Sequence, residues 1–551
     1  MADFTAFILD DDTNIDAWYY SDSDFVSGMG QFRGTSANVQ IFTPLNIDVT
    51  YGGGDLFLYY DNGVEFAIRL NGNDQRVFLY GGGLVNVEGT AERDRITGNA
   101  AGNRLSGGAG SDDLNGAGGA DTLAGGLGDD TYWIDDVADR VIEAKNEGYD
   151  TVHSSVSYSL EGQYVERIEL IGAADINARG NTLANVLVGN EGVNVLTGWK
   201  GDDAYYIQTV GDQVIERKGH GYDTIHSTVT YSLAGQYVEA LMLEGDGDID
   251  AIGNSLDNSL LGNAGVNTLS GGKGNDTYWV QTVGDKVIEA KAQGYDVVHS
   301  EVSYALTGQY VEELRLEGDG DIDALGNTLD NFLIGNNGAN HLIGLRGNDT
   351  LDGAGGVDTM EGGSGNDVYY VGDRADRVIE TYGNGYDIVI SRVDFSLTGQ
   401  YIEELRLAGG FDLKALGNTK ANTIVGNDSA NVIDGWSGMD TLTGGAGSDT
   451  FVFSTKLGAS NVDTITDFDR GVDTLQLSAS AFSGLTAGAL SEEAFVIGRE
   501  AEDVNDRIIY DANGDGALFF DRDGSGTEYA AVQFATLSNH ELISFSDFQV
   551  V

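Results

Sequence analysis

Twenty nonapeptides of the form G-x-x-x-x-[DN]-x-U-x, with U apolar, run through this chain of 551 residues. The fullest copies read Gly107-Gly-Ala-Gly-Ser-Asp-Asp-Leu-Asn, Gly125-Gly-Leu-Gly-Asp-Asp-Thr-Tyr-Trp and Gly271-Gly-Lys-Gly-Asn-Asp-Thr-Tyr-Trp. A unit this short buries its apolar residue only by stacking on its neighbours, so repetition builds a solenoid. The glycines permit positive φ and close backbone approach. Position 8 falls on a short strand and points inward. The fold class this predicts is all-β, a parallel β-solenoid.

The nonapeptides form five blocks, 89–133, 180–206, 253–279, 326–370 and 417–452. Four related spacers of 46 residues lie between them, 134–179, 207–252, 280–325 and 371–416. Each spacer carries a V-I-E, as at Val141-Ile-Glu143, then Gly-Tyr-Asp, then an alternating strand such as Val152-His-Ser-Ser-Val-Ser-Tyr-Ser-Leu. The long period is 73 residues, set by Gly125, Gly198 and Gly271, and blocks four and five are extended in steps of nine. The nonapeptide is therefore a structural quantum. The spacers are expected to continue the solenoid as irregular coils, the rival being small β-sandwich inserts. One stack over 89–452, at about 4.8 Å per coil, would be a rod on the order of 95 Å long.

Position 6 decides the chemistry. It is Asp at 94, 112, 121, 130, 203, 276, 349, 358, 367, 440 and 449, and Asn at 103, 185, 194, 258, 267, 331, 340, 422 and 431. A carboxylate is a hard oxygen ligand, and exposed loop carbonyls are others, a donor set that suits Ca²⁺. The expected metal residues are Asp112, Asp121, Asp130, Asp203, Asp276, Asp349, Asp358, Asp367, Asp440 and Asp449. With them go the loop glycines Gly108, Gly110, Gly126, Gly128, Gly272, Gly274, Gly363, Gly365, Gly445 and Gly447. Asp94 stands apart because its repeat is a poor copy. Asn copies are expected to form amide ladders instead of metal sites. The Asp of each Gly-Tyr-Asp (Asp150, Asp223, Asp296, Asp387) either closes the last site of its block or caps a turn.

These G-G-x-G-x-D-x-U-x copies resemble the RTX (repeat-in-toxin, hemolysin-type calcium-binding) proteins. The resemblance implies a right-handed parallel β-roll filled with calcium, two nonapeptides per coil. It also implies export by a type I secretion apparatus through an uncleaved C-terminal signal, to which the ending Asp547-Phe-Gln-Val-Val551 is similar. Residues 1–88 are expected to be a small N-terminal β domain or solenoid cap, 89–452 the solenoid, and 453–551 a C-terminal β cap with the secretion signal.

Composition limits the remaining readings. A net charge of −59 repels nucleic acid and anionic lipid, and repels the chain itself until cations bind. Folding and calcium binding are thus expected to be coupled. There is no Cys, so no disulfide or thiolate site is available. No apolar stretch is long enough to insert as a membrane helix, and the N-terminus shows no cleaved secretory signal. His540-Glu-Leu-Ile-Ser544 begins a zinc-protease motif and fails at Ser544, and no G-x-S-x-G or phosphate-binding loop occurs. His153, His226 and His299 recur at one spacer position and read as repeat furniture. Asp511-Ala-Asn-Gly-Asp-Gly516 looks like half an EF-hand loop and reads better as a hairpin turn.

No enzyme is therefore expected. The leading expectation is a secreted calcium-binding structural protein of the bacterial surface or matrix, possibly of surface-layer type, that self-assembles. The alternative is a calcium-dependent adhesin binding polysaccharide through the outer rings of Tyr132-Trp133, Tyr205-Tyr206, Tyr278-Trp279 and Tyr369-Tyr370.

Overall fold

Apolar residues at every second position of very short strands dictate the core. In the computed structural model, Leu114, Leu123, Tyr132, Val141, Val152, Leu160, Ile168, Leu187, Leu196 and Tyr205 are all fully buried, each from a different strand or turn. The structure describes residues 76–551, Ile68, Leu70 and the backbone of six strand segments between 7 and 69. The expected N-terminal β domain or cap over 1–88 lies mostly outside the described residues.

The chain divides into two units, residues 1–276 with 284–286, and 277–283 with 287–551. In the first unit, strands Asp113–Asn115, Thr131–Ile134, Thr151–Ser154, Arg167–Leu170, Val186–Val188 and Ala204–Ile207 pair in order, every pairing parallel. In the second unit, Val368–Val371, Ile388–Ser391, Glu404–Leu407, Thr423–Val425 and Thr441–Thr443 do the same. Parallel strands cannot be joined by tight hairpins, and here each coil crosses over through a strand in a second sheet. The fold is an all-β parallel solenoid.

Spacer strands sit in these sheets between nonapeptide strands. From Thr131 the paired positions are Thr151, Arg167, Val186 and Ala204, steps of 20, 16, 19 and 18 residues that together make the 73-residue period. A long coil is followed by a short one, which restores the register, so inward residues stay inward. Pairing of the same kind also lies upstream of the first nonapeptide, where Arg76–Tyr80 runs parallel to Arg95–Thr97.

The second sheet is interrupted once per spacer. Val141 N–H finds no ladder carbonyl there and donates to Tyr158 Oη at 3.0 Å. Val214 does the same to Tyr231 (3.0 Å) and Val287 to Tyr304 (2.8 Å). A buried N–H left without a partner costs about 1–3 kcal/mol. Tyr231→Phe is therefore expected to destabilise the chain by about 1–2 kcal/mol. A shift in urea midpoint at fixed calcium checks it, and a midpoint within error of wild type would show that the hydroxyl is dispensable, as at Phe395 of the fourth spacer.

The stack changes character after the last block. Thr474–Leu477 continues the parallel ladder from Thr450–Phe453, and Phe548–Val550 adds to it. Ile508–Tyr510, Ala517–Phe520 and Val532–Leu537 then run antiparallel. Phe482 packs edge-on against Phe520 and Phe534, and Phe534 against Phe453. Residues 511–516 form the hairpin turn between two of these strands, closed by Asp511 N–H to Ala517 O at 3.0 Å.

Candidate metal centre

Each position-6 carboxylate works in two directions. One oxygen accepts the main-chain N–H of the position-6 residue in the preceding coil: Asp112 from Asp94 (2.7 Å), Asp130 from Asp112 (2.6 Å), Asp367 from Asp349 (2.7 Å). Asp121, Asp203, Asp276, Asp349, Asp358, Asp440 and Asp449 accept the same bond from the Asn above them. All ten are buried.

The other oxygen is different. Oδ2 of Asp112, Asp121, Asp130, Asp203, Asp349, Asp367, Asp440 and Asp449 is buried with no hydrogen-bond partner. It faces the first glycine of its own repeat. A Cβ on Gly344 would lie 2.2 Å from Asp349 Oδ2 and 2.7 Å from the Gly362 carbonyl of the next coil. Carboxylate and carbonyl oxygens thus converge with nothing positive between them. Burial pushes Asp112 and Asp121 up to about 7 and Asp203 up to about 8, against the hydrogen bonds that favour the ion. An isolated buried carboxylate is costly, and a hard cation held by converging oxygens removes the cost. The residues present therefore fit calcium.

The predicted glycines hold the turn. Gly108, Gly110, Gly126, Gly128, Gly272, Gly274, Gly363, Gly365, Gly445 and Gly447 all have positive φ. Asp94 shows the contrast: its Oδ2 takes Thr90 N–H (2.6 Å) and Thr90 Oγ1 (2.9 Å), because Thr90 stands where complete copies have their second glycine.

Asn copies are satisfied by their own amide. Asn185 Oδ1 accepts from Asn181 N (2.7 Å) while Nδ2 donates to Val165 O (2.9 Å). Asn194 does likewise with Asn190 N (2.8 Å) and Ile176 O (2.7 Å). The amide N–H group stands where the Asp copies present a bare oxygen.

Two sets of acidic residues belong to this arrangement without lying in a nonapeptide. Asp139, Asp212, Asp376 and Asp473 accept from the position-6 N–H of Asp121, Asn194, Asp358 and Asp449. Asp150, Asp223 and Asp387 accept from Asp130, Asp203 and Asp367. Beside the latter stand Glu143, Glu216 and Glu380 of the V-I-E motifs, buried and hydrogen-bonded to Tyr132, Tyr205 and Tyr369. The recurring V-I-E was the visible signal for these glutamates, but nonapeptide spacing does not reach them.

The outer aromatic rings are covered. Trp133 stacks on His153 at 4.5 Å, Tyr206 on His226 at 4.6 Å and Trp279 on His299 at 4.1 Å. His226 and His299 are in turn held by Glu244 (2.9 Å) and Glu317 (2.7 Å).

The family profile described as "RTX calcium-binding nonapeptide repeat (4 copies)" matches residues 86–114, 97–132, 179–206, 252–280, 326–369 and 416–451. The chain is an RTX-repeat protein. The matched stretches are the nonapeptide blocks, and the RTX spacers fall between them. Over 82 residues the chain is also similar, at 37% identity, to the endo-1,3-1,4-beta-glycanase ExsH of Rhizobium meliloti (strain 1021). That match spans 15% of this chain and 17% of the glycanase. No helix among the described residues is long and apolar enough to cross a membrane.

Proposed function

We propose that this RTX protein is a secreted, non-catalytic structural component of the bacterial surface or extracellular matrix, which folds on extracellular calcium and assembles with copies of itself. The observation that carries the reading is the row of buried position-6 carboxylates, each with one oxygen free. Such a chain folds where calcium is abundant and stays unfolded where it is scarce, which suits passage through a type I secretion apparatus. Once folded it presents the same side chains at fixed intervals. Tyr149 and Tyr222 in the first unit, and Tyr295 and Tyr386 in the second, are exposed at equivalent spacer positions. A periodic surface favours periodic contacts. The strongly negative charge favours neither nucleic acid nor an anionic membrane as partner.

The same exposed tyrosines support a second reading, a calcium-dependent adhesin whose rings stack on matrix polysaccharide. Negative-stain microscopy and solution scattering of the full chain, with and without calcium, separate the two. Ordered assemblies that form only with calcium are expected. A monodisperse particle that binds a glycan array would sink the structural reading in favour of the adhesin.

A further inference from the structure

We propose that Asp130, Glu143 and Asp150, with the equivalent sets Asp203, Glu216, Asp223 and Asp367, Glu380, Asp387, form a second class of cation site, separate from the nonapeptide sites. Each takes a hard divalent cation of the calcium type and clamps the first turn of a spacer onto the end of its repeat block. The inference rests on the reading of the chain as calcium-binding and assigns that chemistry to residues outside the nonapeptide.

The coil register explains why a glutamate stands there. Gly107 and Gly125 occupy position 1 of successive coils, and Glu143 occupies it in the next, 18 residues on. The turn that follows is two residues longer than a nonapeptide turn, since Asp150 lies 20 residues after Asp130. The extra length makes room at position 1 for a side chain. In an ordinary repeat that room is missing, because a Cβ on Gly125 would meet Asp130 Oδ2 at 2.0 Å. Gly148 lets the longer turn lie on the coil above, where any Cβ would meet Gly128 O at 1.9 Å.

The geometry is that of a built site. In each set one oxygen from each of the three side chains lies within 4.8 Å of the others. Asp130, Glu143 and Asp150 are 1%, 5% and 0% exposed. Asp130 Oδ2, Glu143 Oε2 and Asp150 Oδ2 have no hydrogen-bond partner, and neither do Asp203 Oδ2, Asp223 Oδ2 and Asp367 Oδ2. The companion oxygens are committed elsewhere. Asp130 Oδ1 accepts from Asp112 N, Asp150 Oδ1 from Asp130 N, and Glu143 Oε1 from Tyr132 Oη. None of these residues takes part in an ion pair among the described residues. Burial, then the charges of Asp150 and Asp130, push Glu143 up to about 9. Three such carboxylates cannot all ionise without a counter-charge. A dry, all-oxygen, flexible set favours calcium over magnesium, which keeps its waters and demands a tighter octahedron.

The chain also holds its own control. Tyr132, Tyr205 and Tyr369 each take the position-1 N–H of their repeat (2.7–2.8 Å) and donate to the glutamate, which aims its other oxygen at the two aspartates. Every block followed by a V-I-E spacer ends in Tyr at this core position, Tyr278 included. The fifth block is followed by no such spacer and has Phe451, which has no hydroxyl. Tyrosine and acidic cluster come and go together, as parts of one device do.

Full-length protein carrying E143Q, E216Q and E380Q together is to be compared with wild type by equilibrium dialysis of calcium and by tyrosine-sensitised terbium luminescence. The variant is expected to lose three equivalents of calcium and the matching share of sensitised emission. Unchanged stoichiometry and emission would overturn the proposal and leave clusters that share protons instead. The Y132F/Y205F/Y369F variant keeps the carboxylates, so it should keep the calcium while emission falls. D112N/D349N removes nonapeptide ligands only. It should lose calcium while sensitised emission stays; if it loses none, the nonapeptide reading fails and the cluster result still stands by itself. Should the triple glutamine variant not fold, E216Q alone is measured in the same way. Loss of one equivalent then supports the proposal, and no loss overturns it.

Discussion

Removing calcium from the full chain with a chelator is expected to abolish most of its β-structure, reversibly. The reason is a sum of like terms. At least eight position-6 carboxylates are buried with one oxygen unsatisfied. Burying an uncompensated charge costs several kcal/mol even after relaxation. A folded domain is stable by only about 5–15 kcal/mol, so a handful of such groups outweighs everything else. The metal-free chain also carries its full charge of −59. Protons can stand in for part of the metal, and the sign follows from the raised carboxyls. Asp112 and Asp121 rise from 3.8 to about 7, so their folded forms hold protons more tightly than the unfolded chain does. That stabilisation is fully present below about pH 4 and is lost as pH rises through about 7. The metal-free chain should therefore be least stable at and above neutral pH, and calcium affinity should fall as pH drops from 7 toward 5. Circular dichroism and thermal melts, with and without chelator across this pH range, check both statements. A melting temperature indifferent to chelation at pH 8 would contradict the assignment of the Oδ2 atoms as ligands.

The fold class was legible because one repeat unit carries its own rules. Glycines at positions 2 and 4, the carboxylate at 6 and the apolar residue at 8 each answer to a local constraint, and stacking then has one solution. The acidic partners outside the repeat were not legible for a physical reason. Asp139 and Asp212 serve the same ladder as Asp121 and Asp203, but no glycine turn marks them. Their place is fixed only by coil register, and the register of a spacer runs 20, 16, 19 and 18 residues, not a repeating 18. Glu143 shows the same limit more sharply. It occupies a glycine position, which becomes intelligible only once the two added residues of its turn are seen to clear space for it. The outer rings were misjudged in emphasis for a related reason. Trp133 and His153 are 20 residues apart, so their stacking is a product of the long coil and not of the nonapeptide.

Replacing Gly365 or Gly128 by alanine is expected to be the most damaging single methyl addition the repeats can receive. Both residues lie in the left-handed region, at φ +141° and +126°. A side chain there costs about 1–2 kcal/mol from backbone sterics alone. Neither site has space for it. The new Cβ on Gly365 would lie 1.6 Å from Gly347 O and that on Gly128 2.1 Å from Gly110 O, both main-chain atoms of the preceding coil. A backbone carbonyl held in a ladder cannot swing aside as a side chain can, so the two coils must separate. Overpacking of this kind adds about 1–3 kcal/mol or more. The carbonyls pushed apart are those that line the turn, so calcium affinity should fall along with stability. Gly162 isolates the two causes. It has φ +83° and nothing within 4 Å of the added atom. Gly162→Ala should therefore show the backbone term alone, about 1 kcal/mol, with calcium binding intact. Urea midpoints at saturating calcium, together with calcium titrations, distinguish the variants. Equal losses for Gly162→Ala and Gly365→Ala would mean that coil-to-coil contact is not what selects glycine in the turn. A loss at Gly365 that exceeds the one at Gly162 by about 2 kcal/mol, with weakened calcium binding, would place both requirements on the same stacked carbonyl.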